Sequence, residues 1–317
     1  MDSHLRPDSS FTRLSIAWLV LATAAVVSAQ AGGGAPCVFG TLEPCLQRAK
    51  RGDLDAQVTV AIMHNTGRGV RENAAEAARW YRRAADKGLA RAQFNLALML
   101  ASGRGVTKDD LEAARWYRRA ADQGHAGAQA NLGAMYQFGR GVHQNAAEAV
   151  RLYRLAATKG VDRAEFGLGE SYELGLGVPV DAAQAARWYR RAADQGMAQA
   201  QANLATLYRA GGRDLPHDPA EAVRWYRLAA AQGHATAQDQ LGLMYVNGEG
   251  VTQNDARGYL WLTIATARIS SVPARESAAK ALAAVGSRLT PEERLAMEQL
   301  VTRCVASDFL ECGEPSK

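Results

Sequence analysis

One short segment carries residue types and a spacing that could perform nucleophilic catalysis. Ser277-Ala278-Ala279-Lys280 matches a Ser-x-x-Lys pattern, in which a lysine one helical turn away can activate a serine. An enzyme of this kind would act on peptidoglycan or on a β-lactam. The Ser-Asp-Asn and Lys-Thr-Gly motifs that accompany the pattern do not occur in this sequence, and so short a match arises readily by chance. We therefore predict no catalytic residue and retain an envelope enzyme as the alternative.

Histidines and cysteines are the residues that could bind a metal ion. Beyond the first 30 residues, no two histidines lie four apart, the spacing that places two of them on one helical face, and the cysteines form no CxxC pair. We predict no metal site and no cofactor. His125 and His234 follow a glycine at the same position of a repeat, which indicates turn residues. The five histidines are His64, His125, His143, His217 and His234.

The four cysteines form two pairs with the same spacing, at opposite ends of the chain. Seven residues separate Cys37 from Cys45, and seven separate Cys304 from Cys312. In an oxidising compartment such cysteines favour disulfides, for which three connectivities are possible. The spacing therefore indicates structural cysteines rather than zinc ligands.

The N-terminus has the composition of a secretion signal. Arg6 and Arg13 precede an apolar run over residues 14–27, and residues 27–29 are small enough for cleavage. The run is shorter than the ~20 residues that span a bilayer, which disfavours an uncleaved membrane anchor. We expect a signal peptide over residues 1–29 and a periplasmic or secreted protein.

The charge of the chain is mildly basic. The net charge is +5 at pH 7 and the isoelectric point is about 9.1. This excess permits attraction to anionic polymers, but the basic residues do not form runs and no nucleic-acid-binding motif accompanies them. We expect no nucleic-acid partner, and membrane contact only through an uncleaved leader.

Self-similarity at a fixed period is the strongest pattern in the sequence. The segment Arg-Trp-Tyr-Arg-Arg-Ala-Ala-Asp at residues 79–86 recurs at residues 115–122 and 187–194. The aligned positions are 36, 36, 36, 37 and 36 residues apart, and a period of this size predicts a solenoid. These positions are Trp80, Trp116, Leu152, Trp188, Trp225 and Trp261.

Each repeat contains two amphipathic helical patterns separated by glycine-containing turns. One turn reads Gly103-Arg104-Gly105-Val106, and most repeats have a similar one. A phosphate-binding loop would need a preceding strand and a third glycine, so helix ends that require positive φ are the better interpretation. The sequence predicts an all-α solenoid of about six two-helix repeats.

The residues of the repeat resemble a known family. Residues 128–142 read Ala-Gln-Ala-Asn-Leu-Gly-Ala-Met-Tyr-Gln-Phe-Gly-Arg-Gly-Val, and the segment Ala-x-Arg-Trp-Tyr-Arg-Arg-Ala-Ala-Asp-x-Gly recurs in phase with this pattern. This looks like the Sel1-like repeat, which is related to tetratricopeptide solenoids. The resemblance implies a right-handed superhelix used for protein–protein interaction, often in adaptors or regulators of the bacterial envelope. Some cysteine-rich members are described as β-lactamase-like, but they carry a cysteine pair in every repeat, so that activity is not carried over.

The repeat divides the chain into four regions. We predict a signal peptide at 1–29, an N-terminal cap at 30–55, the solenoid at 56–267 and C-terminal capping helices at 268–317. The C-terminal helices are expected around residues 274–285 and 291–304. Because a solenoid keeps its ends apart, the disulfides Cys37–Cys45 and Cys304–Cys312 are favoured, although a bridge between the ends stays open.

The first helix of each repeat carries positions that vary between copies and are candidates for binding a partner. By family resemblance this helix lines the concave side, where an extended peptide or an amphipathic helix of another protein would bind. We expect the protein itself to be a monomer. The aromatic residues could instead be partly buried by curvature, and the asparagines could brace the next repeat. The candidate residues are Phe94, Asn95, Leu98, Asn131, Phe166, Glu170, Glu173, Asn203, Thr206, Arg209 and Asp239.

The second helix carries an arginine stripe. Arg79, Arg82 and Arg83 lie at i, i+3 and i+4, and Glu76 and Asp86 are placed to pair with them. A solvated, salt-bridged outer face is the favoured interpretation. Binding of an anionic polymer to these arginines stays open.

Overall fold

The structure is a computed structural model that describes Cys37, residues 41–309 and Cys312. The predicted signal peptide, residues 1–29, lies outside the described residues. Within them, regular secondary structure is α-helical apart from one isolated bridge between Gly212 and Leu215. The helices are α1 (Leu42–Lys50), α2 (Leu54–Thr66), α3 (Ala74–Asp86), α4 (Ala90–Ser102), α5 (Asp110–Asp122), α6 (Ala126–Phe138), α7 (Ala146–Ala157), α8 (Asp162–Leu174), α9 (Ala182–Asp194), α10 (Ala198–Ala210), α11 (Pro219–Ala231), α12 (Ala235–Asn247), α13 (Asp255–Arg268), α14 (Val272–Gly286) and α15 (Pro291–Ala306).

Helices α2 to α13 form six consecutive pairs, which we call units 1 to 6, each with a first and a second helix. Every helix packs against the one before it and the one after it, both within a unit and between units. Contacts are therefore local in sequence, which is the defining property of a solenoid. The predicted all-α solenoid of six two-helix repeats is confirmed.

Each second helix begins at an Asn or Asp whose side chain caps it. In unit 1, Glu76 N–H donates a hydrogen bond to Asn73 Oδ1 at 3.0 Å, which satisfies a backbone donor that the first turn leaves unpaired. From there the apolar stripe that contains Trp80 and Tyr81 is buried, as the periodicity predicts. The six capping residues are Asn73, Asp109, Asn145, Asp181, Asp218 and Asn254.

The first helices end at glycine and, in two units, begin at histidine. His125 Nδ1 accepts a hydrogen bond from Ala128 N–H at 3.2 Å, and His234 caps unit 6 in the same way. Both histidines are therefore turn residues, as their position indicates. The C-terminal glycine has a left-handed conformation in five units, because such a cap needs positive φ. These glycines are Gly67, Gly103, Gly139, Gly175 and Gly248.

The second glycine of the turn brings two units into backbone contact. A Cβ on Gly105 would lie 2.4 Å from the carbonyl oxygen of Ala74 in the preceding unit, so only glycine fits there. Gly141, Gly177 and Gly250 approach the preceding unit in the same way. Unit 5 differs, because its turn is rewritten by the extra residue, and a Cβ on Gly212 would make only an ordinary contact.

Helices outside the repeat and disulfides close both ends of the stack. Helix α1 packs on α2, while α14 and α15 pack on α13 at the positions expected for capping helices. A capping box between Thr290 and Glu293 opens α15. The structure pairs Cys37 with Cys45 and Cys304 with Cys312, the favoured connectivity. No helix in the described part of the chain is both long enough and apolar enough to cross a membrane.

Candidate functional site

The candidate site is the side of the first helices that carries the positions varying between repeats. In α4, Phe94, Asn95 and Ala101 are half-buried and Leu98 is 40% exposed, whereas the stripe that contains Leu96 is buried. We call the four positions equivalent to Phe94, Asn95, Leu98 and Ala101 in all six units the first-helix face. The 3.6-residue period places these four on one side of each helix.

The aromatic residues of this face are less exposed than the groove hypothesis expects. Phe94 stacks on the His125 ring of unit 3 at a centroid distance of 4.5 Å and lies 5.9 Å from Tyr117. Phe166 lies 5.4 Å from the Tyr189 ring. Of the two interpretations left open, partial burial is therefore observed at Phe94 and Phe166, because each ring packs against a neighbouring aromatic ring. The equivalent residues Val58, Ala130 and Ala202 are buried outright.

Tyrosine hydroxyls from the second helices reach the polar part of the first-helix face. Tyr153 Oη donates to Gln137 Oε1 at 2.6 Å in unit 3, and Tyr189 Oη donates to Glu173 Oε2 at 2.5 Å in unit 4. In unit 5 the hydroxyls of Thr206 and Tyr226 lie 2.9 Å apart. The ring of each tyrosine is thus buried, while its hydroxyl forms a hydrogen bond near the surface. This hydrogen bond fixes the orientation of a first-helix side chain that a partner would contact.

Two carboxylates lie together on the face of unit 4. Burial, together with the charge of Glu173, raises the pKa of Glu170 to about 7, while a hydrogen bond from Gln137 acts in the opposite direction. Within the described residues, neither carboxylate forms an ion pair. A cationic group brought to this point would favour the ionised form of Glu170.

The face of units 5 and 6 is already paired. Arg209 donates to both carboxylate oxygens of Glu249, at 2.8 and 2.7 Å, and also bonds the Gln240 amide oxygen. Burial raises the pKa of Asp239, which accepts a hydrogen bond from Gln240. Arg209 and Asp239 therefore belong to a network that joins the two units.

The asparagine ladder makes contacts within the protein. Asn131 Nδ2 donates to Tyr117 Oη at 3.1 Å, and Arg163 of unit 4 donates to Asn131 Oδ1 at 3.2 Å. Asn95 bonds a carbonyl of its own helix, and Asn203 accepts from Gln199. Of the two interpretations left open, bracing of a neighbouring unit is observed at Asn131.

A second ladder, which the sequence analysis missed, crosses the boundaries between units. The glutamine next to each recurring alanine is buried, and its side-chain amide donates to a carbonyl at the end of the preceding helix; Gln93, for example, donates to Ala85 at 3.2 Å. The signal was the Ala-Gln dipeptide, which recurs with the repeat. The ladder consists of Gln57, Gln93, Gln129, Gln201 and Gln238.

Unit 4 replaces this glutamine with Glu165, which is 1% exposed and cannot donate to the carbonyl. Arg191 takes over both tasks, because it pairs with the Glu165 carboxylate at 2.6 Å and donates to the Ala157 carbonyl at 3.1 Å. Gln195 also donates to Glu165 at 2.7 Å. An ion pair between a buried carboxylate and a half-exposed arginine therefore stands where the other units have a neutral amide.

A further glutamine, just after the second helix, completes the ladder in some units. Gln123 Nε2 donates to Gln93 Oε1 at 2.8 Å, and Gln232 does the same for Gln201. Lys87 and Lys159 occupy this position in units 1 and 3, and there the amide oxygens of Gln57 and Gln129 are buried without a partner. The residue type at this one exposed position therefore decides whether the buried amide oxygen of the ladder glutamine has a hydrogen-bond donor.

The arginine stripe does more than pair with its own helix. Arg79 bonds Glu76 at 3.2 Å as expected, but Arg82 reaches Glu112 of unit 2 at 2.7 Å and Arg83 lies 4.5 Å above the Trp80 ring. The expected pairing of all three arginines with Glu76 and Asp86 is therefore wrong for Arg82 and Arg83. Part of the stripe ties second helices together.

The residues considered for catalysis lie apart from this face. Ser277 and Lys280 are both exposed on α14, a helix that covers the C-terminal end. Across Cys37, residues 41–309 and Cys312, no group of three or more His, Cys, Asp or Glu side chains could hold a metal ion. The Ser-x-x-Lys match therefore gains no supporting residue from the fold.

The family comparison agrees with the units defined by the helices. The model of the Sel1 repeat matches six times without a gap, over residues 54–89, 90–125, 126–161, 162–197, 198–234 and 235–268. Each range contains the two helices of one unit, in the order of units 1 to 6, so the resemblance carried by the repeat motif is confirmed. No curated protein matches the chain.

Solved structures show the same architecture. A Sel1 repeat protein from Oxalobacter formigenes is 33% identical with a TM-score of 0.61, and the match covers 71% of this chain and 96% of that one. A protective antigen with this fold from uropathogenic Escherichia coli is 21% identical, covers 87% and 91%, and has a TM-score of 0.29. An immunity protein from Pseudomonas aeruginosa is 20% identical, covers 68% and 81%, and has a TM-score of 0.41. At these TM-scores the last two likenesses do not bear on function.

Proposed function

This chain belongs to the Sel1 repeat family, and we propose from that premise that it is a non-enzymatic scaffold whose first-helix face holds a segment of a partner protein. Sel1 repeat proteins are generally scaffolds for protein–protein interaction. The residues in and around the Ser-x-x-Lys segment offer no assembled catalytic group. A rigid stack that orders other proteins is therefore the function that the fold supports best.

The observation that carries the proposal is the change of chemistry along the first-helix face. Unit 2 presents Leu98 beside the half-buried Phe94, whereas unit 4 presents Glu170 and Glu173 without ion-pair partners in the described residues. A segment with apolar side chains toward unit 2 and a Lys or Arg toward unit 4 would complement both. By family resemblance this side is concave, so the segment would lie along the inside of the superhelix.

We further propose that the protein acts as a monomer in the periplasm or outside the cell. The leader-like N-terminus supports export, and a disulfide at each end of the stack fits an oxidising compartment. An adaptor or regulator in the cell envelope is the role that combines these features.

Partner capture from envelope fractions, with identification by mass spectrometry, tests this function. Affinity for the captured partner is then compared between the wild type and two face variants, Leu98→Asp and Glu173→Gln. Glutamine can still accept the Tyr189 hydrogen bond, so the second variant removes charge while retaining the local packing. We expect each variant to weaken binding by about tenfold or more, since each alters a contact at the centre of the interface.

A matched control separates the face from the rest of the surface. Leu155 lies on second helix α7 and is 41% exposed, about the same as Leu98 at 40%, so Leu155→Asp should bind the partner as the wild type does. Helical circular dichroism and melting temperature should stay close to wild-type values in all three variants. Undiminished affinity in both face variants would show that the partner binds elsewhere.

A further inference from the structure

The most exposed large apolar side chains in the solenoid stand on one edge, away from the first-helix face. Leu111 is 53% exposed, Phe138 60%, Leu174 62% and Val180 69%. All four lie in or beside the turns that join a first helix to its second helix. We call this edge the turn edge and these four residues the apolar ridge.

Three observations place the ridge along the turns of units 2 to 4. Phe138 and Leu174 are the last residues of α6 and α8, so they occupy the same position in adjacent units. Val180 folds back on the turn of unit 4, where a Cβ on Gly175 would lie 2.9 Å from its Cγ2. The turn of unit 3 rests on the start of α5, where a Cβ on Gly141 would lie 2.8 Å from the backbone nitrogen of Leu111.

Packing of the stack does not require these apolar residues, because other units carry small or polar residues at the same positions. The position of Phe138 and Leu174 holds Thr66, Ser102, Ala210 and Asn247 in the other units. The Leu111 position is alanine in every other unit, and the Val180 position is glutamine in units 3 and 6. The ridge is therefore an added surface feature, and contiguous exposed apolar surface of this kind marks an interaction site.

Exposed positive charge flanks the ridge on the side of the first units. Arg68 and Arg71 belong to the turn of unit 1, and Arg140, whose guanidinium lies 6.0 Å from the Phe138 ring centroid, belongs to that of unit 3. Within the described residues, none of the three forms an ion pair. The acidic residues of these turns are occupied, since Glu72 pairs with Arg104 and Asp110 with Lys108.

We propose that the turn edge binds the surface of a bilayer that contains anionic lipid. The apolar side chains project from the tips of turns instead of lining a groove, so they suit insertion among lipid headgroups better than capture of a partner's side chains. The unpaired arginines beside them complement lipid phosphates. This contact differs from the expectation that only an uncleaved leader would touch a membrane, and it leaves the first-helix face open.

Vesicle co-sedimentation tests the proposal on the purified, disulfide-bonded protein with the N-terminus it has after export. The probes are vesicles of phosphatidylcholine alone and of phosphatidylcholine mixed with phosphatidylglycerol. The ridge variant combines Leu111→Ala, Phe138→Ser, Leu174→Ser and Val180→Gln, which are residues that other units carry at these positions. We expect the wild type to bind the mixed vesicles in a salt-sensitive manner, and the ridge variant to bind them at least about tenfold more weakly.

Two further variants show which part of the edge acts. Arg68→Gln with Arg71→Gln and Arg140→Gln should remove the preference for phosphatidylglycerol. Leu155→Ala with Leu228→Ala truncates two side chains on the second helices, 41% and 42% exposed, and should leave vesicle binding unchanged. Leu98→Asp, which tests the scaffold proposal, should also bind vesicles normally, so the two proposals fail separately.

Three outcomes would overturn the membrane contact. The wild type could fail to bind either vesicle, or the ridge variant could bind as well as the wild type. Sedimentation equilibrium could also show a dimer that the ridge variant abolishes while the wild type ignores vesicles, in which case the ridge is an interface between two copies of this chain.

Discussion

Units 1 to 3 and units 4 to 6 stack in the same way but differ in what they expose and in how their boundaries are paired. Both halves cap every second helix with Asn or Asp and bury the same alanine stripe. In the first half the buried ladder is neutral glutamine throughout, whereas the second half begins with the Glu165–Arg191 ion pair. The first-helix face changes at the same place, from Leu98 in unit 2 to Glu170 in unit 4.

The difference shows which parts of a repeat are free to change. A side chain that caps a helix and an alanine at the crossing of two helices each have a role that very few residue types can perform, so both recur in the repeats. A carbonyl at a unit boundary needs only a donor, and Arg191 supplies to Ala157 what glutamine supplies elsewhere. At the boundary between units 3 and 4, an ion pair of two mutually dependent side chains therefore replaces the glutamine that donates to the carbonyl on its own.

The largest effect is expected from breaking that pair. Arg191→Ala leaves the Glu165 carboxylate buried with only Gln195 as a donor and the Ala157 carbonyl without its donor, and the free energy of unfolding should fall by about 1.5–3 kcal/mol. Chemical denaturation followed by circular dichroism measures the change. Arg119→Ala is the matched control in the first half, because Arg119 only covers the Trp116 ring, and it should cost less than about 1 kcal/mol.

A rescue sharpens the same test. Combining Arg191→Ala with Glu165→Gln restores the neutral amide that other units use, and stability should return to within about 1 kcal/mol of the wild type. If the double variant is no more stable than Arg191→Ala, the two residues are not coupled as the structure indicates.

The acidic face of unit 4 should give a smaller, pH-dependent effect. The pKa of Glu170 is raised to about 7 in the folded protein, so the unfolded state releases this proton first and stability falls as pH rises from about 4.5 to about 7. Glu170→Gln lacks this loss and should be on the order of 1–2 kcal/mol more stable than the wild type at pH 8, with the difference vanishing below about pH 4.5. Urea midpoints at several pH values measure it.

A companion variant checks the cause of that pH dependence. Glu173→Gln removes the neighbouring charge, so the pKa of Glu170 should fall and the stabilisation from Glu170→Gln at pH 8 should shrink. An equal stabilisation in the presence and absence of Glu173 would assign the whole shift to burial.

The smallest expected effect concerns the unpaired glutamine of unit 1. Lys87→Gln should let the new amide donate to Gln57 Oε1, as Gln123 does to Gln93, and raise the free energy of unfolding by about 0.5–1 kcal/mol. The reverse change, Gln123→Lys, should lower it by a similar amount. A shift of the denaturation midpoint in the same direction for both variants would contradict this account of the ladder.

Much of the fold could be predicted because the six copies of the repeat can be compared with one another within a single sequence. Six copies of one pattern separate positions such as Ala92 and Leu96, which the stack needs, from positions that vary. Periodicity also located the capping helices and the terminal disulfides. The predicted binding of a partner at Leu98, Glu170 and Glu173 stays a prediction.

What could not be predicted depends on distances between units. The period shows that Phe94 faces away from the recurring stripe, but not that the His125 ring of the next unit covers it. A recurring glutamine could point to solvent or to a carbonyl, and only the packing distance of the helices decides between them. The exchange of roles between Glu165 and Arg191 required the same information.

The glycine contacts between turns have a mechanical consequence. At Gly105, Gly141, Gly177 and Gly250 the spacing of two units along the turn edge is limited by main-chain atoms, which cannot yield as side chains do. Between units 4 and 5 the rewritten turn differs, because a Cβ added at Gly212 would lie 3.5 Å from Ala182 Cβ, which is an ordinary van der Waals distance. Under compression along the turn edge, the four main-chain contacts would therefore resist closer approach of the units that they join.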